Sequence, residues 1–122
     1  MIAYKYSLIE DLRWSYRTLS NLKWLKQKKL VVFYPNIFRM LLLWFKRPKI
    51  ELFSDRDIIC YWVHCGTWGA FTPPNKIFIC PWEIENAGGF NKVIDHEIKH
   101  LIYYEETKHL EHEEREKIIN SK

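Results

Sequence analysis

The stretch VIDHEIKHLIYYEE, residues 93–106, constrains the fold more than any other part of the chain. It contains the pattern H-E-x-x-H, formed by His96, Glu97 and His100. Two histidines four positions apart meet on one face of a helix, about one turn apart, where they can point at the same ion. Apolar residues flank the pattern at helical spacing, namely Val93, Ile94, Leu101 and Ile102. The pattern therefore predicts a long helix that carries both imidazoles on one side.

Each residue type in this pattern has a role in metal-dependent hydrolysis. Imidazoles bind zinc at about 2.0–2.1 Å, so His96 and His100 are candidate ligands. Glu97 would lie beside the metal and is the candidate general base that takes a proton from water. The His and Glu content of the chain gives only about 0.02 chance matches per such sequence. We therefore predict a catalytic zinc site rather than a solvated helix face.

Catalytic zinc usually has three protein ligands, so the third ligand lies outside the pattern. The longer pattern H-E-x-x-H-x-x-G-x-x-H would place a sharp turn at Tyr103 and a ligand at Glu106, but a tyrosine argues against that turn. A return helix that starts near Lys108 would instead pass the metal about six residues later.

Leu110 and Ile118 define the predicted inward stripe of that return helix, and Glu114 lies four residues from each. Glu114 is therefore the predicted third ligand. The other candidates are two glutamates and two histidines, namely Glu113, Glu106, His109 and His112.

The remaining pattern predicts a single α+β domain over residues 1–122. Residues 1–48 form a basic helical part, with helices expected over 7–29 and 36–46, and Leu12, Tyr16, Leu19 and Leu22 define the apolar stripe of the first helix. Residues 49–122 form the catalytic part. Short β-rich runs at 49–53, 58–65 and 76–80 predict a small, largely antiparallel sheet before the H-E-x-x-H helix, with Asn91 as its N-cap.

Charge divides the chain into two unlike halves. Residues 1–50 hold 11 Lys and Arg against 2 Asp and Glu, whereas residues 51–122 hold 8 against 13. The basic half either docks on the acidic half or binds an anionic partner, which would be nucleic acid or a membrane surface. Its aromatic-rich segment 30–45 is a candidate homodimer interface, and at 16 residues interrupted by Pro35 and Arg39 it is too short for a membrane span.

Cys60, Cys65 and Cys80 make an odd number, and the N-terminus mixes charged and apolar residues as a leader peptide does not. We therefore expect a cytoplasmic protein with reduced thiols. His64 lies beside Cys65, but no paired set of ligands accompanies them, so a second zinc site is not predicted.

Residues 49–120 resemble the zincin metallopeptidases. The resemblance rests on the HEIKH motif, the β-rich runs before it and the Glu-bearing segment after it. Within the zincins the chain resembles the gluzincins, and in size the minigluzincins. The resemblance implies a zinc metalloendopeptidase whose sheet edge binds an extended peptide or protein substrate. The stretches GTWGAFTPP and NKIFIC are the candidates for that edge. It also implies that such a compact enzyme is produced as a latent zymogen, with residues 115–122 as a candidate plug.

Two other functions remain open at this point. The first is a non-catalytic zinc-binding interaction protein, in which the basic helix binds the partner. The second is a protease that acts on proteins bound to nucleic acid, for which the basic half would supply the affinity.

Overall fold

The computed structural model describes residues 2–27, 32–45 and 57–122, and its architecture is α+β, as the sequence predicts. The strands are β1 (Ile2–Lys5), β2 (Val32–Phe33), β3 (Ile58–Trp62), β4 (Cys65–Gly66), β5 (Gly69–Thr72) and β6 (Lys76–Ile79). The helices are α1 (Leu8–Ser20), α2 (Leu22–Gln27), α3 (Ile37–Phe45), α4 (Phe90–Ile102), α5 (Tyr104–Thr107) and α6 (His112–Ser121). A short 3₁₀ helix, Ile84–Ala87, precedes α4.

The main sheet has the strand order β1-β3-β6-β5. β3 runs parallel to both β1 and β6, and only β5 runs antiparallel to its neighbour. The prediction of a largely antiparallel sheet is therefore wrong. The short turn between β5 and β6 forces antiparallel pairing, whereas the longer connections that lead to β3 and β6 permit parallel pairing. The strand predicted at 49–53 lies outside the described residues.

Alternating side chains of β3 and β6 bury both faces of this sheet. One face packs on α4 and gives a core of Ile58, Cys60, Ile77, Ile79, Ile84, Val93, Ile94, Ile98 and Leu101. The other face contributes Phe78 to a second core with Tyr34, Met40, Val63 and Cys80. Trp62, at the end of β3, belongs to the same core but lies on the α4 face, where it packs on Phe90. Trp14 of α1 stacks on Phe78 at 4.7 Å between ring centroids. The sheet thus holds α4 on one side and α1 on the other.

α1 packs through its polar face, and its predicted apolar stripe faces solvent. Asp11 is 1% exposed: its carboxylate accepts hydrogen bonds from the Tyr6 hydroxyl at 2.8 Å and the His64 backbone N–H at 3.0 Å. Nδ1 of His64 lies 2.7 Å from the same carboxylate. These bonds outweigh the apolar pattern in setting the helix rotation. Of the four predicted stripe residues, Leu12, Tyr16 and Leu19 are exposed, and Leu22 is half-buried in α2. The helix also ends at Ser20, so one continuous helix over 7–29 is wrong.

α3 agrees with the predicted helix near 36–46. The side chain of Asn36 caps it by accepting hydrogen bonds from the backbone N–H groups of Phe38 and Arg39 at 3.0 and 3.2 Å. Within the ranges that the structure describes, no helix combines the length and apolar character needed to cross a membrane.

Candidate metal centre

α4 carries the H-E-x-x-H pattern across the face of the sheet. The chain enters it through Gly88 and Gly89, whose φ angles of 99° and 91° are favourable for glycine. Gly89 rather than the predicted Asn91 is the N-cap. The apolar residues of α4 pack on the sheet and hold the helix in place, which leaves His96, Glu97 and His100 beside β5 and α6.

His96 and His100 meet the carboxylate of Glu116 on α6. Nε2 of His96 lies 2.8 Å from Oε2 of Glu116, and Nε2 of His100 lies 2.9 Å from Oε1. The two Nε2 atoms are 3.1 Å apart. An ionised carboxylate only accepts hydrogen bonds, so each Nε2–H donates to one of its oxygens. Three atoms of the kinds that bind metal ions therefore converge on one point.

The predicted third ligand, Glu114, is exposed and lies outside this group, so Glu116 takes the predicted position. The prediction used Leu110 to set the inward stripe, but Leu110 precedes α6, which begins at His112. The guanidinium of Arg115 donates to the carbonyls of Thr107 and Leu110 at 3.3 and 3.2 Å. These bonds hold the turn before α6, and burial of Ile119 then directs Glu116, three residues earlier, toward α4.

The other candidates for third ligand do not join the group. Glu106, Glu113 and His109 are exposed. His112 lines the cleft beside the group and is described below. Of the candidate plug, residues 115–122, all but the last belong to α6, the helix that supplies Glu116 to the site.

Glu97 is buried between α4 and β5, with 6% of its surface exposed. Burial raises the pKa of its carboxyl to about 8, although His96 acts in the opposite direction. A methyl group on Gly69 would lie 3.0 Å from Oε1 of Glu97. Glycine at this position therefore lets the carboxylate approach the backbone of β5.

The charges of the group reinforce one another. A hydrogen bond to Glu116 raises the pKa of His96, although burial opposes it. Burial acts to raise the pKa of Glu116, but hydrogen bonds from His100 and His96 outweigh it and hold that pKa well below its usual range. Without a metal ion, a proton on His96 and a negative charge on Glu116 thus stabilise each other.

The ring of Phe71 on β5 fixes the orientation of His100. The two rings stack at 4.6 Å between centroids with an angle of 10°. His100 is 2% exposed, and its Nδ1 has no hydrogen-bond partner among the residues that the structure describes. Stacking rather than a second hydrogen bond therefore orients this imidazole.

A cleft of about 690 Å³ opens beside Glu97, His100 and Glu116. Its walls come from both halves of the chain: β5, α4 and α6 form one side, and α1 and α2 form the other. The residues contributed by α1 and α2 include Trp14, Arg17, Thr18, Trp24 and Leu25. A second cavity of about 260 Å³ lies on the His96 side, and the two cavities share Gly69 and Glu97.

β5 is the part of GTWGAFTPP that borders this cleft. It is one of the two edge strands of the four-stranded sheet, whereas β6, which contains most of NKIFIC, lies between β3 and β5. β5 also packs against α4. Of the two candidate stretches, GTWGAFTPP therefore faces the cleft, and it does so through β5.

The sequence identified three of the four residues that converge here and missed Glu116. The sequence did contain evidence for Glu116. Glu116 and Ile119 are three residues apart and so share a face of any helix that contains both. Searches with the chain found no matching family model, no matching curated protein and no matching solved structure.

Proposed function

We propose that this chain is a zinc-dependent peptidase that cleaves within extended polypeptide segments. The observation that carries the proposal is the convergence of His96, His100 and Glu116 beside the buried carboxyl of Glu97. This arrangement lies in a cleft bordered by a sheet edge. The resemblance to gluzincins agrees with it, since a glutamate on a later helix completes the ligand set.

The three donor atoms suit zinc in kind and in spacing. Two imidazole nitrogens and one carboxylate oxygen are a common ligand set for catalytic zinc. Ligand atoms about 2.0–2.1 Å from a tetrahedral ion lie about 3.3 Å from one another. In the metal-free group the two Nε2 atoms are 3.1 Å apart, and they lie 2.8 and 2.9 Å from different oxygens of Glu116. These separations differ from the expected value by a few tenths of an ångström. Zinc would replace the Nε2 protons that now face Glu116.

Glu97 is the residue that we assign as general base. A bound zinc ion lowers the pKa of water toward 7 and polarises a carbonyl group. Glu97 would take the proton from the attacking water and later deliver it to the leaving amine. Its raised pKa keeps it largely protonated near pH 7 in the metal-free protein, and a nearby cation would lower that pKa and ionise it.

The edge of β5 is the proposed binding site for the substrate backbone. An extended peptide can pair with a free strand edge through main-chain hydrogen bonds. The two cavities flank Gly69 and Glu97, so a chain along β5 would have space on both sides of the bond to be cleaved. Space on both sides is what an endopeptidase needs.

His112 is the proposed donor to the oxyanion that forms at the attacked carbonyl. Apart from His100, it is the only histidine or tyrosine among the described residues that line the larger cavity. It lies one helical turn before Glu116 on α6. Its ring meets that of Trp24 edge-on at 5.7 Å, which fixes its position.

We propose the cytoplasm as the compartment. Cys60, Cys65 and Cys80 are all free thiols, which is the usual state of cysteine in a reducing compartment.

Elemental analysis of tag-free protein tests the metal site. We expect about one zinc per chain in the wild type and in Glu97→Gln, and little zinc in His96→Ala and Glu116→Ala. Glu114→Ala is the matched control, because it removes a carboxylate from the same helix that does not approach the histidines. Equal zinc loss in Glu114→Ala and Glu116→Ala, or no zinc in any variant, would overturn the ligand assignment.

Cleavage of a mixed peptide library, read by mass spectrometry, tests the activity. Glu97→Gln should lose at least about a hundredfold in rate while it retains zinc. Zinc binding without cleavage of any peptide by the wild type would instead favour a non-catalytic zinc-binding protein.

A further inference from the structure

α1 presents an apolar face to solvent. The side chains of Leu8, Ile9, Leu12, Tyr16 and Leu19 are 57–73% exposed. At 3.6 residues per turn these five positions fall within an arc of about 100°. We call this set the α1 ridge. An apolar patch of this kind on a surface helix usually marks an interaction site.

The ridge is exposed because the opposite face of α1 makes the contacts with the rest of the protein. Asp11 bonds to Tyr6 and His64, Trp14 stacks on Phe78, and Ser15 accepts a hydrogen bond from the thiol of Cys65. These contacts fix the helix, so the ridge cannot turn inward without breaking a buried network.

A basic border runs along one side of the ridge. On a helical wheel Arg13 and Arg17 directly follow the arc of the ridge, and both are exposed. The one acidic residue on that side, Glu10, is partly neutralised by Arg13 at 3.5 Å and Lys76 at 3.6 Å. Exposed Lys23 and Lys26 on α2 add two more positive charges. The ridge and its border therefore suit a partner that is apolar beneath and negatively charged at its surface.

A second copy of the chain meets these requirements poorly. Five side chains on one short helix would bury about 500 Å² per partner, whereas stable interfaces bury about 800 Å². Pairing two ridges would also bring their arginine borders into the same interface, where like charges repel.

We propose that the α1 ridge docks this protein on anionic lipid membranes. The leucines, isoleucine and tyrosine would enter the boundary between headgroups and acyl chains, to a depth of about 5–10 Å. Arg13 would extend toward the lipid phosphates while its aliphatic stem covers the apolar face. Arg17, whose guanidinium lies over the Trp14 ring and lines the cleft, would add positive charge farther from the lipid. The proposal does not depend on the proposed peptidase activity, since no residue of the ridge belongs to the metal group.

Flotation with lipid vesicles tests the proposal on the full chain. The probes are vesicles of phosphatidylcholine alone and vesicles in which about one third is phosphatidylglycerol. We expect wild type to float with the anionic vesicles and not with the neutral ones. Leu12→Gln/Leu19→Gln should reduce the bound fraction at least about tenfold, and Arg13→Gln should reduce it less.

Ile102→Gln is the matched control, because Ile102 is an exposed apolar residue of α4, 46% accessible and outside the ridge. Its vesicle binding should equal that of wild type. Circular dichroism and the mass in solution by ultracentrifugation are measured for each variant, so that a folding defect is recognised. Equal binding to neutral vesicles, no binding to either vesicle, or a dimer that Leu12→Gln/Leu19→Gln dissociates would each overturn the proposal.

Discussion

Gly69 and Glu97 lie so close that a Cβ on Gly69 would sit 3.0 Å from both Cγ and Oε1 of the glutamate. The same Cβ would lie 2.7 Å from Cγ1 of Val93. The absence of a side chain on β5 therefore determines how near the carboxyl of Glu97 comes to the sheet edge.

Gly69→Ala is expected to displace Glu97 and to slow peptide cleavage about tenfold or more, since catalysis is sensitive to small shifts of a base. Overpacking should also lower the free energy of unfolding by about 1–3 kcal/mol. Zinc content should be unchanged because the metal group is untouched. Thr72→Ala, at the other end of β5, is the control. Normal cleavage by Gly69→Ala would show that the position of Glu97 is not limiting.

Zinc affinity should fall as the pH is lowered, because zinc and protons compete for Nε2 of His96 and His100. The hydrogen bond to Glu116 raises the pKa of His96, so the fall should begin above the ordinary value of 6.5. Each displaced proton changes the apparent affinity about tenfold per pH unit below that pKa. Competition with a fluorescent chelator measures it, after correction for the chelator's own protonation. An affinity that stays constant from about pH 8 to about pH 6 would contradict proton competition.

Glu97→Gln should stabilise the metal-free protein increasingly as the pH rises. The folded wild type has a Glu97 pKa of about 8 against an ordinary value of 4.5, so between these values the folded state holds a proton that the unfolded state has released. The contribution of Glu97 to the free energy of unfolding is therefore greatest below pH 4.5, falls as pH rises and levels off above pH 8. Glutamine does not titrate. Urea unfolding with a chelator present measures the free energy of unfolding of both proteins from acid to mildly alkaline pH. The two plots of this free energy against pH should diverge as pH rises. Parallel plots would contradict the raised pKa of Glu97.

Asp11→Ala should destabilise the protein by roughly 2–4 kcal/mol, because it leaves the His64 N–H and the Tyr6 hydroxyl without their acceptor. Glu10→Ala removes the neighbouring carboxylate, which is 16% exposed and pairs with Arg13 and Lys76, and should change stability by less than about 1 kcal/mol. Urea denaturation measures both. Equal effects of the two substitutions would mean that the buried carboxylate does not hold α1 in place.

The three cysteines should react unequally with a thiol reagent. Burial raises the pKa of the Cys80 thiol to about 12 and raises that of Cys60 further. Cys65 is only half-buried. One thiol should therefore be labelled in the native protein and three after denaturation, with peptide mapping to identify Cys65. Rapid native labelling of Cys60 would contradict the packed core beneath β3.

The helix of His96 and His100 was predictable because its evidence is local. Spacing of four residues and apolar neighbours require no knowledge of the rest of the chain. Glu116 was not predictable in the same way, because the start of α6 depends on Arg115 binding the carbonyls of the preceding turn. An error of two residues in the predicted inward face of this helix was enough to make Glu114, rather than Glu116, the predicted ligand.

The rotation of α1 shows a larger limit of what the sequence alone can predict. The apolar pattern favours burial of Leu12 and Leu19, yet Asp11 is buried because its partners, Tyr6 and His64, lie on the inner side. The hydrogen bond from His64 comes from a residue 53 positions away, which a local pattern does not reveal. β1 was missed for a related reason, since its pairing with β3 joins distant parts of the chain.

α1 has one face on solvent and the opposite face on the cleft, where Trp14 and Thr18 form part of the wall. A helix with its side chains is about 10–12 Å across. If the proposed docking and the proposed peptidase activity both hold, the thickness of this one helix sets the distance between the lipid surface and the site of cleavage. The protein would then hold its cleft at a fixed distance from the membrane, within reach of polypeptide segments close to the bilayer surface.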